Sequence, residues 1–169
     1  MTRYAALLRA VNVGGTGKLP MTELKSMCEA TGFRNVRTYI ASGNVVFESK
    51  LSESTVKTKL ERCLAAYAKK PVGVMVRTGP ELTAVLAGNP FKSQASNHTV
   101  AIFLDEPPPA DTLQNVKSQT TEKVALGKRE VYVFYLDNMA HSKLKIPAAK
   151  DGTARNMNTI AKLAQWANE

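Results

Sequence analysis

The sequence predicts an α+β fold with antiparallel sheets, and three observations lead to this prediction. Apolar segments of strand length alternate with segments of helical periodicity. In residues 1–77 the order is strand, helix, strand, strand, helix, strand, which is the split βαβ pattern of ferredoxin-like folds. A similar order follows in residues 78–169. We therefore expect two ferredoxin-like subdomains of the βαββαβ type, the second less complete, joined as one compact unit and related by internal duplication.

The first half contains the full set of elements. Pro20 suits the first turn of a helix, where its missing N–H costs nothing, and Gly32 suits a helix end. Residues 41–44 supply turn chemistry and therefore predict a hairpin. The predicted elements are strands over 4–11, 36–40, 44–48 and 71–77, a helix between Pro20 and Gly32, and a helix after Ser52 with the buried stripe Val56, Leu60, Cys63, Leu64 and Tyr67.

The second half follows the same order less clearly, and its residues match those of the first half poorly. Residues 137–157 show no periodicity, so we expect a long functional or mobile loop there. The other predicted elements are a short helix after Thr78, a strand over 99–105, a helix carrying Leu113 and Val116, a hairpin of strands 122–126 and 130–136, and a final helix over 158–167.

The charge of the chain is unevenly distributed. The net charge is +9 over 169 residues, and residues 1–80 carry 13 Lys and Arg against 5 Asp and Glu, or +8. Residues 81–169 carry 10 against 9, or +1. A basic half indicates an anionic partner, which is a nucleic acid, a phosphorylated metabolite or an acidic protein. The alternative is a solvated basic face on one helix.

A loop with three glycines and one lysine follows the first strand. Gly14, Gly15 and Gly17 let backbone N–H groups approach a ligand, and Lys18 adds a full positive charge beside a helix N-terminus. These features are typical of a phosphate cradle. The spacing matches neither the Walker loop nor the dinucleotide fingerprint, which argues against a conventional nucleoside triphosphate site. A wide structural turn is the alternative.

Two further segments carry polar residues suited to binding. In a split βαβ sheet the first and third strands are antiparallel neighbours, so Arg9 and Asn12 should meet the hairpin turn at one edge. That turn is Ser42-Gly43-Asn44, and turn chemistry alone is the alternative. Arg155 and Asn158 flank the start of the last helix, where an anion site and a simple helix cap are the two interpretations.

Several functional classes lack support in the sequence. No metal-ligand spacing or nucleophile elbow is present, and we expect no metal and no cofactor. Cys28 and Cys63 fall in predicted helices and are expected to be structural thiols. The third strand lacks the aromatic residues of RNA-recognition modules, so binding through the nucleic-acid backbone stays open. Without a secretory signal or a membrane span, we expect a cytoplasmic protein.

Three blocks of the chain resemble the bacterial family called domain of unknown function 1697. The resemblance implies two ferredoxin-like α+β subdomains and no established activity. Ala10 stands where the family commonly has Gly, and Met157 where it commonly has an aromatic residue. The blocks are residues 7–15 with 18–21, residues 39–47 and residues 155–159. The positions that match the family's motifs are Arg9, Asn12, Gly14, Gly15, Lys18, Ser42, Gly43, Asn44, Arg155 and Asn158.

These features favour a binding module for a phosphate-bearing ligand, which would be a nucleotide, a phosphometabolite or an RNA end. Lys18 and Arg9 would neutralise its charge, Asn12 and Asn44 would orient it, and Arg155 would close the site. One alternative is a small enzyme of phosphoryl or acyl transfer or hydrolysis, although no general base is evident. Another is a nucleic-acid or protein interaction module that uses the basic face.

Overall fold

The computed structural model describes residues 1–13 and 18–169, which form two antiparallel sheets of four strands each. Short 3₁₀ helices cover Ser96–His98, Leu113–Asn115, Met139–His141 and Pro147–Ala149. The strands and α-helices are β1 (Thr2–Leu8), α1 (Met21–Ala30), β2 (Arg34–Thr38), β3 (Asn44–Ser49), α2 (Glu53–Ala68), β4 (Val74–Thr78), α3 (Gly79–Ala87), β5 (Thr99–Phe103), β6 (Lys123–Leu126), β7 (Glu130–Phe134), β8 (Thr153–Asn156) and α4 (Met157–Ala167).

The strand order confirms the predicted fold class. The first sheet has the order β2-β3-β1-β4 and the second the order β6-β7-β5-β8, which is the same order for the four strands of each half. Neighbouring strands in both sheets pair antiparallel. The two halves therefore share the split βαβ strand arrangement expected of ferredoxin-like subdomains.

The second half is less complete because neither of its crossover segments contains an α-helix. The predicted helix carrying Leu113 and Val116 is wrong, since this region forms only the 3₁₀ turn Leu113–Asn115 and Leu113 is 46% exposed. Three consecutive prolines over 107–109 remove backbone donors just before it. The prediction of one long functional or mobile loop over 137–157 is also wrong in its extent, because β8 lies within this segment.

The strand β8 is not predicted from the sequence, because its residues do not alternate between apolar and polar. A half-buried strand is recognised in a sequence by apolar residues at alternate positions. In β8 the buried positions hold the polar residues Thr153 and Arg155. Pairing with β5 holds the strand, with Ala101 opposite Arg155 and Phe103 opposite Thr153. Backbone pairing with β5 therefore makes this segment a strand, although its side chains do not predict one.

The contacts within the chain define two compact units, and each is described by itself. The first unit is Met1–Leu82 with Lys162–Glu169, and the second is Thr83–Ala161. In the first unit, α1 and α2 cover one face of the sheet with Leu24, Leu60 and Leu64, all almost fully buried. These residues belong to the apolar core that also holds Phe47 and Phe33, whose rings stack 4.2 Å apart.

The other face of the first sheet is buried as well. Ala5, Leu7, Val46 and Met75 point to this face, and none is more than 4% exposed. Arg77, opposite Ala5, is 1% exposed. The face thus presents neither the exposure nor the aromatic residues that base stacking on a sheet requires.

The last residues of the chain cover the edge strand β2 of the first unit. The guanidinium of Arg37 lies 3.8 Å from the centre of the Trp166 ring and donates a hydrogen bond to the Glu169 carboxylate at 2.9 Å. The Tyr39 ring meets Trp166 edge-on at 5.5 Å. Charged and bulky side chains on an edge strand oppose pairing with another chain.

A hydrogen-bonded carboxylate organises the second unit near the start of β6. Glu122 accepts hydrogen bonds from the Ser142 hydroxyl and from the backbone N–H of Thr120 at 2.7 Å. These bonds favour the ionised form, so they lower the pKa of Glu122 from its ordinary value of 4.5 to about 2, with the Ser142 hydrogen bond as the largest cause. Glu122 therefore joins two segments that are 20 residues apart.

Glu122→Gln is expected to reduce the acid sensitivity of folding. A depressed folded-state pKa contributes stability that is present above the unfolded pKa near 4.5 and is lost as the pH falls toward 2. The variant should be less stable at pH 7 and should show a shallower loss of stability between pH 4.5 and 2. Urea unfolding across this range measures both effects. Glu106→Gln, at an exposed carboxylate of the same unit, is the control; equal slopes in the two variants would contradict the assignment.

Candidate functional site

The end of β1, with Asn12 that follows it, meets the β2–β3 hairpin turn at one end of the first sheet, as the strand order predicts. Leu7 of β1 lies opposite Asn44 of β3. The backbone N–H of Leu8 donates to the Gly43 carbonyl at 2.9 Å. The side-chain amide of Asn12 donates to the Ala41 carbonyl at 2.8 Å. The end of β1 and the turn therefore form one hydrogen-bonded structure.

Asn12 clamps the two ends of the loop. Its Oδ1 accepts from the Leu19 backbone N–H at 2.6 Å, and its Nδ2 donates to the Leu19 carbonyl at 2.8 Å. The second hydrogen of Nδ2 is used by Ala41, so both amide hydrogens are engaged within the protein. Asn12 has a φ of 56°, a left-handed conformation that Asn tolerates better than most residues. These contacts give Asn12 a loop-closing role.

The hairpin turn depends on the small size of Gly43 and the amide of Asn44. Gly43 has a φ of +90°, and a Cβ atom there would lie 2.6 Å from Cγ2 of Val11 and 2.9 Å from Cβ of Leu8. Asn44 is fully buried, and its Nδ2 donates to the Tyr39 carbonyl at 2.9 Å and to the Ser42 hydroxyl at 3.0 Å. The buried Asn44 side chain thus stabilises the turn through these two hydrogen bonds, and Ser42 is half-buried.

Arg9 and Lys18, the two cations predicted to neutralise the charge of the ligand, are exposed. Arg9 follows β1, and its backbone N–H donates to the Gly73 carbonyl at 2.9 Å, beside the start of β4. Lys18 precedes the buried Leu19 and is itself exposed. Gly14, Gly15 and Gly17 lie outside the described residues, so the phosphate cradle stays a prediction.

A cleft of about 210 Å³ opens beside the loop, between the end of β1 and the C-terminal part of α2. Among the described residues that line it, the polar side chains are those of Lys18, Lys70 and Tyr67, and the other side chains are apolar. The lining residues are Ala10, Val11, Lys18, Leu19, Leu64, Tyr67, Ala68, Lys70 and Val72. The cleft thus combines positive charge with an apolar and aromatic surface.

Tyr67 corrects one part of the sequence analysis. It was predicted to belong to the buried stripe of α2, but it is 43% exposed, and the buried residues of the helix are Val56, Leu60 and Leu64. Tyr67 lies one turn after Leu64 and one residue before the helix end at Ala68. Helical spacing alone does not show at which residue burial along a helix ends.

Arg155 and Asn158 belong to the second unit. Arg155 lies on β8 and is 7% exposed, and its guanidinium donates to Thr153 Oγ1 at 2.7 Å and to the Ala154 carbonyl at 2.9 Å. Burial lowers the pKa of Arg155 to about 10. Asn158 accepts a hydrogen bond from the Ser96 hydroxyl at 2.8 Å. Asn156 caps α4, since its Oδ1 accepts from the Thr159 N–H at 2.9 Å.

The described part of the chain offers little to nucleophilic or metal chemistry. Cys28 is fully buried, and burial raises the pKa of its thiol to about 12, so it carries almost no thiolate at neutral pH. Within residues 1–13 and 18–169, no three His, Cys, Asp or Glu side chains gather as a metal site. None of the helices described is long and apolar enough to cross a bilayer.

A family model matches most of the chain. The chain belongs to the family described as "Protein of unknown function (DUF1697)", which matches residues 1–132. The resemblance to this family is thereby confirmed, and the matched residues include the blocks 7–15 with 18–21 and 39–47, whereas the block 155–159 lies beyond them.

One solved structure is similar to the chain over nearly its whole length. It is the conserved bacterial protein SP0830 from Streptococcus pneumoniae, with 27% sequence identity and a TM-score of 0.77 over 98% of both chains. No functionally curated protein matches the chain.

Proposed function

We propose that the protein binds a small phosphate-bearing metabolite in the cleft between the loop and the end of α2. The observation that carries the proposal is the pairing of two lysines with an apolar, tyrosine-bearing surface in one cleft, in the half of the chain that carries most of the net charge. Lys18 and Lys70 would bind the phosphate, and Tyr67 would contact the organic part of the ligand.

The size of the cleft favours a small ligand. Its volume of about 210 Å³ lies below the roughly 300–1,000 Å³ typical of sites for drug-sized molecules. A sugar phosphate, or the phosphate end of a nucleotide, suits this space better than a whole dinucleotide. Backbone N–H groups of the glycine loop would add donors to the phosphate if the predicted cradle forms. The Asn12 clamp supports this by fixing the ends of the loop.

Binding has more support than catalysis at this cleft. The lining residues that the structure describes include no carboxylate, histidine or cysteine that would act as a general base or nucleophile. Lysine and tyrosine suit charge neutralisation and stacking at neutral pH. An enzyme of phosphoryl or acyl transfer is therefore the weaker proposal. Binding of an RNA end through its phosphate would use the same lysines and tyrosine as binding of a metabolite.

Replacing both cleft lysines by alanine is expected to weaken binding of phosphate compounds by about tenfold or more. Each charge-assisted hydrogen bond contributes about 1.5–3 kcal/mol, and solvent screening at this open cleft reduces that contribution. Isothermal titration of Lys18→Ala/Lys70→Ala with inorganic phosphate, ribose 5-phosphate and AMP measures the loss. A thermal-shift panel with the same compounds selects the strongest ligand first, since a ligand at 100 times its Kd adds about 2.7 kcal/mol.

The matched control removes the same charge elsewhere in the first unit. Lys25→Ala/Lys59→Ala changes two exposed lysines on α1 and α2, outside the cleft. It should bind as the parent protein does. Equal loss in both double variants, together with a strong dependence on salt, would replace the cleft with a diffuse basic surface. Absence of binding by any phosphate compound to the parent protein would end the proposal.

A further inference from the structure

The second unit contains a separate groove whose chemistry is also that of an anion site. It has a volume of about 410 Å³ and lies over the sheet face that carries Val100, Val131 and Val133. Three exposed lysines, Lys117, Lys145 and Lys150, line it. Its volume lies within the range typical of small-molecule sites. This groove shares no residue with the cleft of the first unit.

Two of these lysines are forced together by backbone hydrogen bonds. The N–H of Lys117 donates to the Lys145 carbonyl at 2.8 Å, and the N–H of Lys145 donates to the Lys117 carbonyl at 2.9 Å. This antiparallel bridge lies outside the two sheets. Residues that exchange both bonds stand directly opposite each other, and their side chains project to the same side. Like charges in that arrangement repel, so an anion held between them would relieve the repulsion.

The rest of the groove is apolar. Leu144, Ile146 and Ala149 pack on the sheet face in place of a crossover helix, and each remains half-buried. Ile102 and Tyr135 complete this surface, and Pro147 begins the 3₁₀ turn at its end. A ligand that contacts the lysines therefore also lies on exposed apolar surface. An inorganic anion would leave that surface in water, whereas an anion with a hydrocarbon part would cover it.

We propose that this groove binds an organic carboxylate that carries an apolar chain of medium length. The carboxylate would lie between the ammonium groups of Lys117 and Lys145, and the chain would lie along Leu144, Ile146 and Ile102. A carboxylate accepts hydrogen bonds from both lysines through its two oxygens. The proposal is independent of the cleft in the first unit, because it concerns different residues in a different unit.

Octanoate is the probe, and its binding to the protein is measured by isothermal titration. Octanoate should bind, while acetate, which lacks the chain, and 1-octanol, which lacks the charge, should bind at least about tenfold more weakly. Lys117→Gln/Lys145→Gln should lose at least about tenfold in octanoate affinity. The melting temperature of this variant without ligand should equal or exceed that of the parent, because the like-charge pair is removed.

The matched control is Lys123→Gln/Lys128→Gln, which removes two exposed lysines of the same unit outside the groove. Its octanoate affinity should stay within about twofold of the parent. Three outcomes would overturn the proposal: no octanoate binding by the parent, equal binding by the two double variants, or inorganic phosphate binding as tightly as octanoate. If inorganic phosphate bound as tightly as octanoate, the apolar surface of the groove would contribute nothing to binding.

Discussion

Gly43→Ala is expected to destabilise the protein by about 2–5 kcal/mol. A left-handed conformation costs a residue with a Cβ about 1–2 kcal/mol, and overpacking a close contact costs about 1–3 kcal/mol. Both apply here, because the φ is +90° and the new methyl group would lie 2.6 Å from Val11 Cγ2 and 2.9 Å from Leu8 Cβ. The Leu8 contact involves a Cβ fixed to the strand backbone, so β1 and the turn would have to separate. Urea unfolding measures the loss.

Gly32→Ala separates the two contributions. Gly32 has a φ of +98°, close to that of Gly43, but no atom lies within 4 Å of a Cβ built there. This variant should therefore lose only the conformational contribution of about 1–2 kcal/mol. The difference between the two variants measures the contact between the hairpin turn and the end of β1. If Gly43→Ala were no more destabilising than Gly32→Ala, the close approach of these segments would be wrong.

The first sheet was predictable from the sequence because its elements have strong local signals. An apolar β1, a helix opened by Pro20 and a turn at residues 41–44 each agree with the structure within a few residues. The pattern fails where contacts distant in sequence define an element. β8 is held by pairing with β5, and the bridge between Lys117 and Lys145 joins residues 28 apart, so neither is visible in a local window.

The sequence predicts where the candidate site lies better than it predicts what each of its residues does. Antiparallel pairing of β1 and β3 requires the residues after β1 to meet the hairpin turn, and Leu8 and Asn12 do so. The sequence cannot show whether an asparagine binds a ligand or its own backbone, because both use the same amide. The hydrogen bonds of Asn12 and Asn44 lie within the protein. Tyr67 and Lys70 were missed as a site, because their approach to the loop depends on how α2 packs.

Asn12→Ala is expected to lower the free energy of unfolding by about 4 kcal/mol. It removes three side-chain hydrogen bonds worth about 1 kcal/mol each and leaves the backbone groups of Leu19 and Ala41 without these partners. Alanine is also less tolerant of a φ of 56° than asparagine is. Asn12→Gly loses the same hydrogen bonds without that conformational cost, so it should be about 1 kcal/mol more stable than Asn12→Ala. Urea unfolding of the two variants measures both quantities.

Asn12→Asp distinguishes the clamp from a direct role in binding. Aspartate still accepts from the Leu19 N–H, but it places a carboxylate oxygen against the Leu19 and Ala41 carbonyls in place of a donor. A clamp predicts that stability falls in parallel with the affinity for phosphate compounds across the Ala, Gly and Asp variants. A ligand-orienting Asn12 predicts that affinity falls while stability is nearly constant. Because all three hydrogen bonds close the loop on itself and on the hairpin, we expect the parallel loss.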